Sequence, residues 1–414
     1  MDAASIIMVF AALSGLYMAW SIGANDVANA MGTSVGSGAL KFSHAIMIAM
    51  VFEFAGAFFA GGTVSQTVGG GIIHLRVFEE NALLLAAGMT GCLLAASSWL
   101  HFASYWGIPV STTQSIVGAV IGLGLVVGGP AAVDGRAVFT VGVAWVLSPL
   151  LAGWLSYLCF QHLARHVLGS SDPLARIRRV GPILVGVIVS SLVLGVIFRG
   201  NASLRLSLEL GTSALIAVPI GAAAAFASMP VFRRLASRKA ESLPDQVRMA
   251  ERVFQLLQIV TACYLAFAHG SNDVANAIGP LAAIFHALHD GISQTVDVSS
   301  SVLLVGAVGI LLGLASYGYK VMATIGRGIT ALTPSAGFSA VFAAATVILF
   351  GTKLGLPVSA SHIMVGAVIG VGLARSVAAI NISLLRSILV SWVVTVPVTA
   401  SLAAGLAWGA QYLL

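Results

Sequence analysis

Long apolar segments alternate with short polar ones along almost the whole chain. Apolar runs of about 17 to 25 residues can each cross the roughly 30 Å hydrocarbon core of a bilayer as a helix. The pattern therefore predicts an all-α polytopic membrane protein with about 12 transmembrane segments. The predicted spans are 4–29, 44–61, 82–105, 112–129, 137–160, 182–198, 206–229, 253–279, 300–319, 338–353, 357–375 and 384–411.

Two polar motifs interrupt this pattern, and each occurs twice. Residues 23–32 read GANDVANAMG and residues 270–279 read GSNDVANAIG; residues 107–122 read GIPVSTTQSIVGAVIG and residues 355–370 read GLPVSASHIMVGAVIG. Matching motifs in the same order indicate an internal duplication. In the predicted topology, the span that carries the first motif crosses the membrane from outside to inside in the first half and from inside to outside in the second. We interpret the halves as inverted-topology repeats with broken or re-entrant helices, an arrangement typical of secondary transporters.

The duplication divides the chain into three regions. Residues 1–160 and 253–414 are expected to form the first and second transmembrane repeats. A linking region at 161–252 would hold two transmembrane helices and two basic cytoplasmic loops. Half of the 20 Lys and Arg lie in the segments 161–181 and 230–252, which is the positive-inside signal. It predicts a multi-pass protein of the cytoplasmic (plasma) membrane with both termini extracytoplasmic.

Composition narrows the class of protein. Hydrophobic residues make up 58% of the chain and charged residues 8%, which excludes a string of soluble domains. The net charge of +6 belongs to the loops beside the lipid bilayer, so it does not indicate a nucleic-acid partner. Cys92, Cys159 and Cys263 all lie in apolar segments, so no disulfide or metal framework is implied. No cofactor is predicted beyond a co-transported ion.

The first motif places a carboxylate and two carboxamides at membrane depth in each half, where such groups are costly to keep. Their oxygens suit a small hard cation such as Na+, and the flanking glycines favour local unwinding that frees backbone carbonyls. The alternative is that the Asn residues only join helices by hydrogen bonds. Glu53, in the second span, is a further cation ligand, a proton carrier or a structural hydrogen-bonding group. The candidate cation ligands are Asn25, Asp26, Asn29, Asn272, Asp273, Asn276 and Glu53.

The second motif supplies hydroxyls directly after Pro109 and Pro357. Hydroxyls and unpaired N–H groups at the start of a half-helix favour an anion, although ordinary packing is the alternative. Because neither motif contains Lys or Arg, a bound dianion would need co-bound cations, which predicts obligate symport. The candidate anion ligands are Ser111, Thr112, Thr113, Ser359 and Ser361.

Two histidines lie beside these motifs. His269 precedes the second copy of the first motif, and His362 stands where the other half has Gln114. Each is either a buried neutral imidazole or a proton-coupling group.

The four motif copies closely resemble those of the inorganic phosphate transporter (PiT) family, over nearly the whole chain. The resemblance implies a twelve-segment inverted-repeat carrier, commonly a homodimer. It also implies that Asp26, Asp273 and the motif Asn residues bind Na+, that the two Asp residues help to hold phosphate, and that the Ser and Thr residues contact phosphate oxygens. The sequence departs from the family at Gln114, where His is frequent, and at Ala360, where Thr is frequent. In the segment 63–71, relatives commonly carry charged residues, which bears on cation stoichiometry.

The prediction is therefore a secondary active transporter, not an enzyme, that imports inorganic phosphate by symport with Na+ through alternating access around a midplane site. Sulfate transport, H+ coupling and carriage of a metal-phosphate complex are alternatives on the same fold. An anion channel is a further alternative. An intramembrane hydrolase using Ser361 and His362 is weaker, because these residues are neighbours in sequence and lack a third orienting group.

Overall fold

The computed structural model is almost entirely helical over the residues that it describes. These are residues 3–413 except 80, 107, 109, 199–207, 236–241, 294–297, 329–331 and 376–381, and only the backbone is described at 3, 27–30, 318–328 and 384. The α-helices of this part of the chain are α1 (Ala3–Gly36), α2 (Phe42–Ala60), α3 (Gly62–Gln66), α4 (Ala82–Tyr105), α5 (Thr112–Gly128), α6 (Gly135–Leu163), α7 (Pro173–Ile197), α8 (Leu210–Leu235), α9 (Leu243–His289), α10 (Ser300–Gly328), α11 (Pro334–Lys353), α12 (Ala360–Arg375) and α13 (Ile382–Leu413).

Ten helices within the described ranges are long and apolar enough to span a membrane. Helices α5 and α12 have only 17 and 16 residues, about 25 Å at 1.5 Å per residue, which is short of the hydrocarbon thickness. Each forms a hairpin with the helix before it, α4 or α11, and starts inside the protein beside a buried serine, Ser111 or Ser359. The predicted all-α fold with about twelve segments and re-entrant helices is confirmed. We call residues 106, 108, 110 and 111 the first tip and residues 354–359 the second tip.

The two halves of the chain pack crosswise. Helix α1 lies against α10 and helix α2 against α9, while α5 packs on α13 and α6 on α12. In each of these pairs one helix comes from the first half and the other from the second. The helices that carry the first motif are therefore positioned by the opposite repeat. Helices α7 and α8 pack on each other, and α7 also contacts α9.

Glycines let the crossed helices touch backbone to backbone. A Cβ added at Gly23 would overlap the carbonyl oxygen of Ile310, and one added at Gly270 would overlap that of Glu53. We expected these glycines to favour unwinding, and that expectation is wrong: α1 and α9 continue as α-helices through both copies of the motif. An unbroken helix keeps its backbone groups paired inside a membrane, and small residues allow close helix packing.

The two basic segments, 161–181 and 230–252, which we predicted to be loops, are partly helical. Helix α6 reaches Leu163, a π-helical turn continues to Leu168, and α7 begins at Pro173. Helix α8 ends at Leu235, and α9 begins at Leu243. Apolarity marks only the part of a helix inside the hydrocarbon, so the sequence pattern underestimated helices that extend beyond it.

The crossing of α2 and α9 gives a test by substitution. Gly270→Ala should lower the melting temperature of the purified protein, because overpacking against the backbone of Glu53 costs about 1–3 kcal/mol. Gly142→Ala in α6 is the matched control, since an added Cβ there meets no atom within 4 Å. Equal melting temperatures for the two variants would show that the close crossing is not needed.

Candidate functional site

The two hairpin tips are joined by reciprocal hydrogen bonds. The Thr113 hydroxyl donates to the carbonyl oxygen of Val358 at 3.1 Å, and the Ser361 hydroxyl donates to that of Val110 at 3.2 Å. Thr113 and Ser361 hold equivalent places in the two copies of the second motif, as do Val110 and Val358. The starts of α5 and α12 therefore meet as a pseudo-symmetric pair.

Ser111 and Ser359 cap the two short helices. The Ser111 hydroxyl oxygen accepts from the backbone N–H of Gln114 at 3.1 Å, and that of Ser359 accepts from the N–H of His362 at 3.3 Å. A capping oxygen satisfies one of the free N–H groups at a helix start, while its own O–H can still donate. Both predicted anion ligands thus lie at helix N-termini with a donor to offer.

Each motif carboxylate meets the hairpin of the opposite half. Asp26 of α1 accepts from the Ser361 hydroxyl at 3.2 Å, and the Thr112 hydroxyl lies 3.4 Å from Oδ2 of Asp273 on α9. Both carboxylates are fully buried. The structure therefore brings the predicted cation and anion ligands together at one place and closes that place to solvent.

The carboxamides complete the network around the carboxylates. Asn272 donates to Asp273 Oδ1 at 2.6 Å and to the carbonyl of Val358 at 2.8 Å, and Asn276 donates to the hydroxyls of Thr112 and Thr113 at 3.3 and 3.2 Å. Because these donors fix both the carboxylate and the tip, the amides of α9 bind the two motifs to each other.

Two amide oxygens at the site are available as ligands. Asn25 donates to the Ser104 hydroxyl at 2.8 Å, but its Oδ1 and the Oδ1 of Asn276 have no hydrogen-bond partner among the described residues. A buried oxygen without a donor is costly and is the kind of group that a hard cation satisfies. The side chain of Asn29 lies outside the described residues.

His269 is the residue that sequence reasoning left out of the site. Its Nε2 lies 2.9 Å from Asp273 Oδ2, and its Nδ1 lies 3.3 Å from Glu53 Oε1. One ligand atom from each of Asp26, His269 and Asp273 falls within 4.8 Å of the other two. Glu53 therefore reaches the site through the imidazole. The signal was present in the sequence, because His269 and Asp273 are four residues apart and share a helix face.

This charged arrangement exists on one side only. The close crossings of Gly23 with Ile310 and of Gly270 with Glu53 are equivalent, so Ile310 takes the place of Glu53 in the other half. His269 corresponds in the same way to Ile22. The fold is nearly symmetric, but the crossing of α1 with α10 has Ile22 and Ile310 where the crossing of α9 with α2 has His269 and Glu53.

His362 is directed elsewhere. Its ring stacks on Trp392 with centroids 3.5 Å apart, while the Ser361 hydroxyl lies against Asp26 and Val110. The neighbouring Ser and His are thus packed in separate surroundings, which does not favour the hydrolase hypothesis.

The segment after α2, which departs from the family pattern, supports the second tip. Thr63 donates to the carbonyl of Thr352 at 3.1 Å, and Thr67 donates to that of Gly355 at 2.8 Å. Thr352 in turn lies 3.5 Å from Asn272 Oδ1. This segment therefore acts on the site through the hairpin.

Known proteins share this sequence and fold. A sequence profile of the phosphate transporter family matches residues 22–403. The chain is 42% identical to inorganic phosphate transporter 2-1, chloroplastic, of Arabidopsis thaliana, over 96% of this chain and 71% of that protein. It is 41% identical to a protein of Pyrococcus furiosus named as a phosphate permease, over 99% and 97% of the two chains. A solved structure, the sodium-dependent phosphate transporter, superposes with a TM-score of 0.92 at 38% identity and covers 99% of this chain and 100% of that one.

A bundle of spanning helices with two re-entrant hairpins closed over a buried polar site defines a membrane transporter, not an enzyme. The chain belongs to the phosphate transporter family, and its function is phosphate transport.

The junction of the tips can be tested by a double substitution. Thr113→Val with Ser361→Ala removes both hydroxyl donors that join the tips and leaves the Val358 carbonyl with only the Asn272 amide as a side-chain donor, so initial phosphate uptake should fall at least about tenfold. Uptake is measured in vesicles and normalised to the amount of folded protein. Ser115→Ala is the control, because its hydroxyl donates within its own helix, to Ser111 O at 2.8 Å. If the double variant transports like the control, the junction does not support transport.

Proposed function

We propose that this protein imports inorganic phosphate by symport with Na+ through alternating access. The observation that carries the proposal is the charge of the site. Asp26, Asp273 and Glu53 are all fully buried, and none of the residues that we assign to the site is Lys or Arg. A phosphate dianion placed among these carboxylates would be strongly repelled unless cations entered with it.

The ligand types favour Na+ as that cation. The carboxylate oxygens of Asp26 and Asp273 and the amide oxygens of Asn25 and Asn276 are hard ligands. The similarity to a structure named as a sodium-dependent phosphate transporter supports the same choice. Phosphate oxygens would take the hydroxyls of Ser111, Thr112, Thr113, Ser359 and Ser361 together with the helix N-termini.

The arrangement of the two hairpins supports alternating access. The site is buried under both tips, and each tip belongs to a different half of the chain. Movement of one hairpin away from the other would open the site on one side, as in carriers built from inverted repeats. We assign residues 1–160 and 253–414 as these repeats and 161–252 as the linker. We further propose a homodimer in the cytoplasmic membrane with both termini outside.

Coupling to H+ is the second candidate, and one observation favours it. His269 lies between Glu53 and Asp273 at 3.3 and 2.9 Å, a chain of three groups that each exchange protons. Sulfate is the rival substrate on the same fold.

Reconstituted vesicles separate Na+ coupling from its rivals. With an inward Na+ gradient the protein should accumulate labelled phosphate above its external concentration, and excess sulfate should not compete. Accumulation by a channel would stop at equilibrium. Accumulation driven by an inward H+ gradient without Na+, and lost in His269→Gln, would replace Na+ with H+ in the proposal.

The two motif carboxylates should be required for coupling. Asp26→Asn or Asp273→Asn removes a negative charge that balances the cation, so Na+-driven uptake should fall at least about a hundredfold while the protein stays folded. Asp172→Asn is the matched control, because Asp172 caps α7 from an exposed position and Asn caps equally well. Uptake near the original rate in both motif variants would contradict the assignment.

A further inference from the structure

Gln258 of α9 joins two helices on the side of the transport site where α1 ends. Its side chain is fully buried. The amide oxygen accepts from the Ser37 hydroxyl at 2.8 Å, and the amide nitrogen donates to the carbonyl oxygen of Thr33 at 3.3 Å. Helix α11 also approaches this amide so closely that a Cβ added at Gly337 would overlap it. One side chain thus closes the space between α1, α9 and α11.

Two buried hydroxyls without partners lie beside this amide. Thr33 and Ser34 are both buried, and neither hydroxyl has a hydrogen-bond partner among the described residues. A helical Ser or Thr often donates to a carbonyl one turn earlier, but these two do not. A buried hydroxyl without a partner is costly unless water or a solute reaches it. The end of α1 therefore offers polar groups that the closed protein leaves unused.

Polar residues connect this place to the transport site. Along α1, steps of four residues lead from Asn25 at the site to Thr33 and Ser37, and residues four apart share a helix face. On α9, Gln258 lies 11 residues before His269, which is about 16 Å along the helix. Polar residues inside a membrane protein are costly and mark the paths of substrates and ions. We call Thr33, Ser34, Ser37 and Gln258 the inner stripe.

The far end of the inner stripe reaches solvent beside basic residues. Ser37 is half-buried, and its neighbour Gly38 is exposed. Lys41 and Arg252, at the same end of α1 and α9, are both exposed. Positive charge at the mouth of a path attracts an anion. The positive-inside signal assigns this end of the protein to the cytoplasm.

We propose that the inner stripe is the path by which phosphate leaves the transport site toward the cytoplasm, and that Gln258 is the gate residue that closes it. The inference rests on the alternating access proposed above. The path is closed here because Gln258 bridges α9 to the end of α1. Movement of that end away from α9 would break both hydrogen bonds. The freed amide N–H and hydroxyl groups could then donate to the oxygens of a passing phosphate.

The first test measures how fast a cysteine in the path reacts with a membrane-impermeant thiol reagent added to the cytoplasmic face of vesicles. Thr33→Cys is made in protein whose three native cysteines are replaced by Ala. Adding Gln258→Ala, which removes both bridging hydrogen bonds, should raise the reaction rate about tenfold or more. Thr90→Cys in α4 is the control, because Thr90 is also buried but donates within its own helix, to Ala86 O at 2.7 Å. Its rate should not change.

A second measurement asks whether the path carries phosphate. After the Thr33→Cys protein has reacted with a negatively charged thiol reagent, phosphate uptake should fall at least about tenfold, because the adduct fills the path and repels the anion. Uptake that is unchanged by complete modification would overturn the assignment of the path.

Ser37→Ala, which removes one of the two bridging bonds, serves as the second variant if Gln258→Ala does not fold, and should raise the reaction rate about threefold or more. An unchanged rate in the variants that fold would overturn the gate. Failure of the proposed function would look different. Na+ with phosphate should change the rate, because substrates shift the protein between its states. A rate that responds to Gln258→Ala but not to these substrates supports the gate and contradicts alternating access.

Discussion

Burial of like charges is the constraint on which the rest of this structure depends. Asp26, Asp273 and Glu53 are withdrawn from water into the middle of a helical protein, where each ionised carboxylate needs donors or a cation. The surrounding helices reach these carboxylates from several directions. Ser361 donates to Asp26, Asn272 donates to Asp273, and the imidazole of His269 lies 3.3 Å from Glu53 and 2.9 Å from Asp273. The crossed packing of the two halves is what delivers these donors, since Asp26 and Ser361 belong to opposite repeats.

Much of this could be predicted from the sequence, for identifiable reasons. The length of an apolar run reflects the thickness of the hydrocarbon core, so the spanning helices follow from length. Length alone placed 112–129 and 357–375 among the spans, and only the polar, Gly- and Pro-containing motifs indicated broken or re-entrant helices there. The duplicated motifs indicate the inverted repeat, and the polar residues within apolar segments indicate the position of the site. These signals are local in sequence, and each has a single physical cause.

The remaining features depend on contacts between distant segments. Nothing near Gly270 in the sequence shows that α2 crosses α9 there with Glu53 at the contact. The same pattern of glycines is also compatible with either helix unwinding or close helix packing. His269 was recognised as adjacent to a motif, yet its role between Glu53 and Asp273 depends on α2 crossing α9.

The single hydroxyl of Ser361 links the charge of the site to the contact between the hairpins. It lies 3.2 Å from Asp26 Oδ1 and 3.2 Å from the carbonyl of Val110, but a hydroxyl has only one proton to donate. An ionised Asp26 competes strongly for that proton, because hydrogen bonds to charged acceptors are the stronger ones. A cation on Asp26 weakens the competition and leaves the proton for Val110 and the junction of the tips. In the first half, two residues share the corresponding contacts: Thr113 donates to Val358 of the opposite tip, and Thr112 approaches the opposite carboxylate, Asp273. In the second half Ala360 has no hydroxyl, so Ser361 alone makes both contacts.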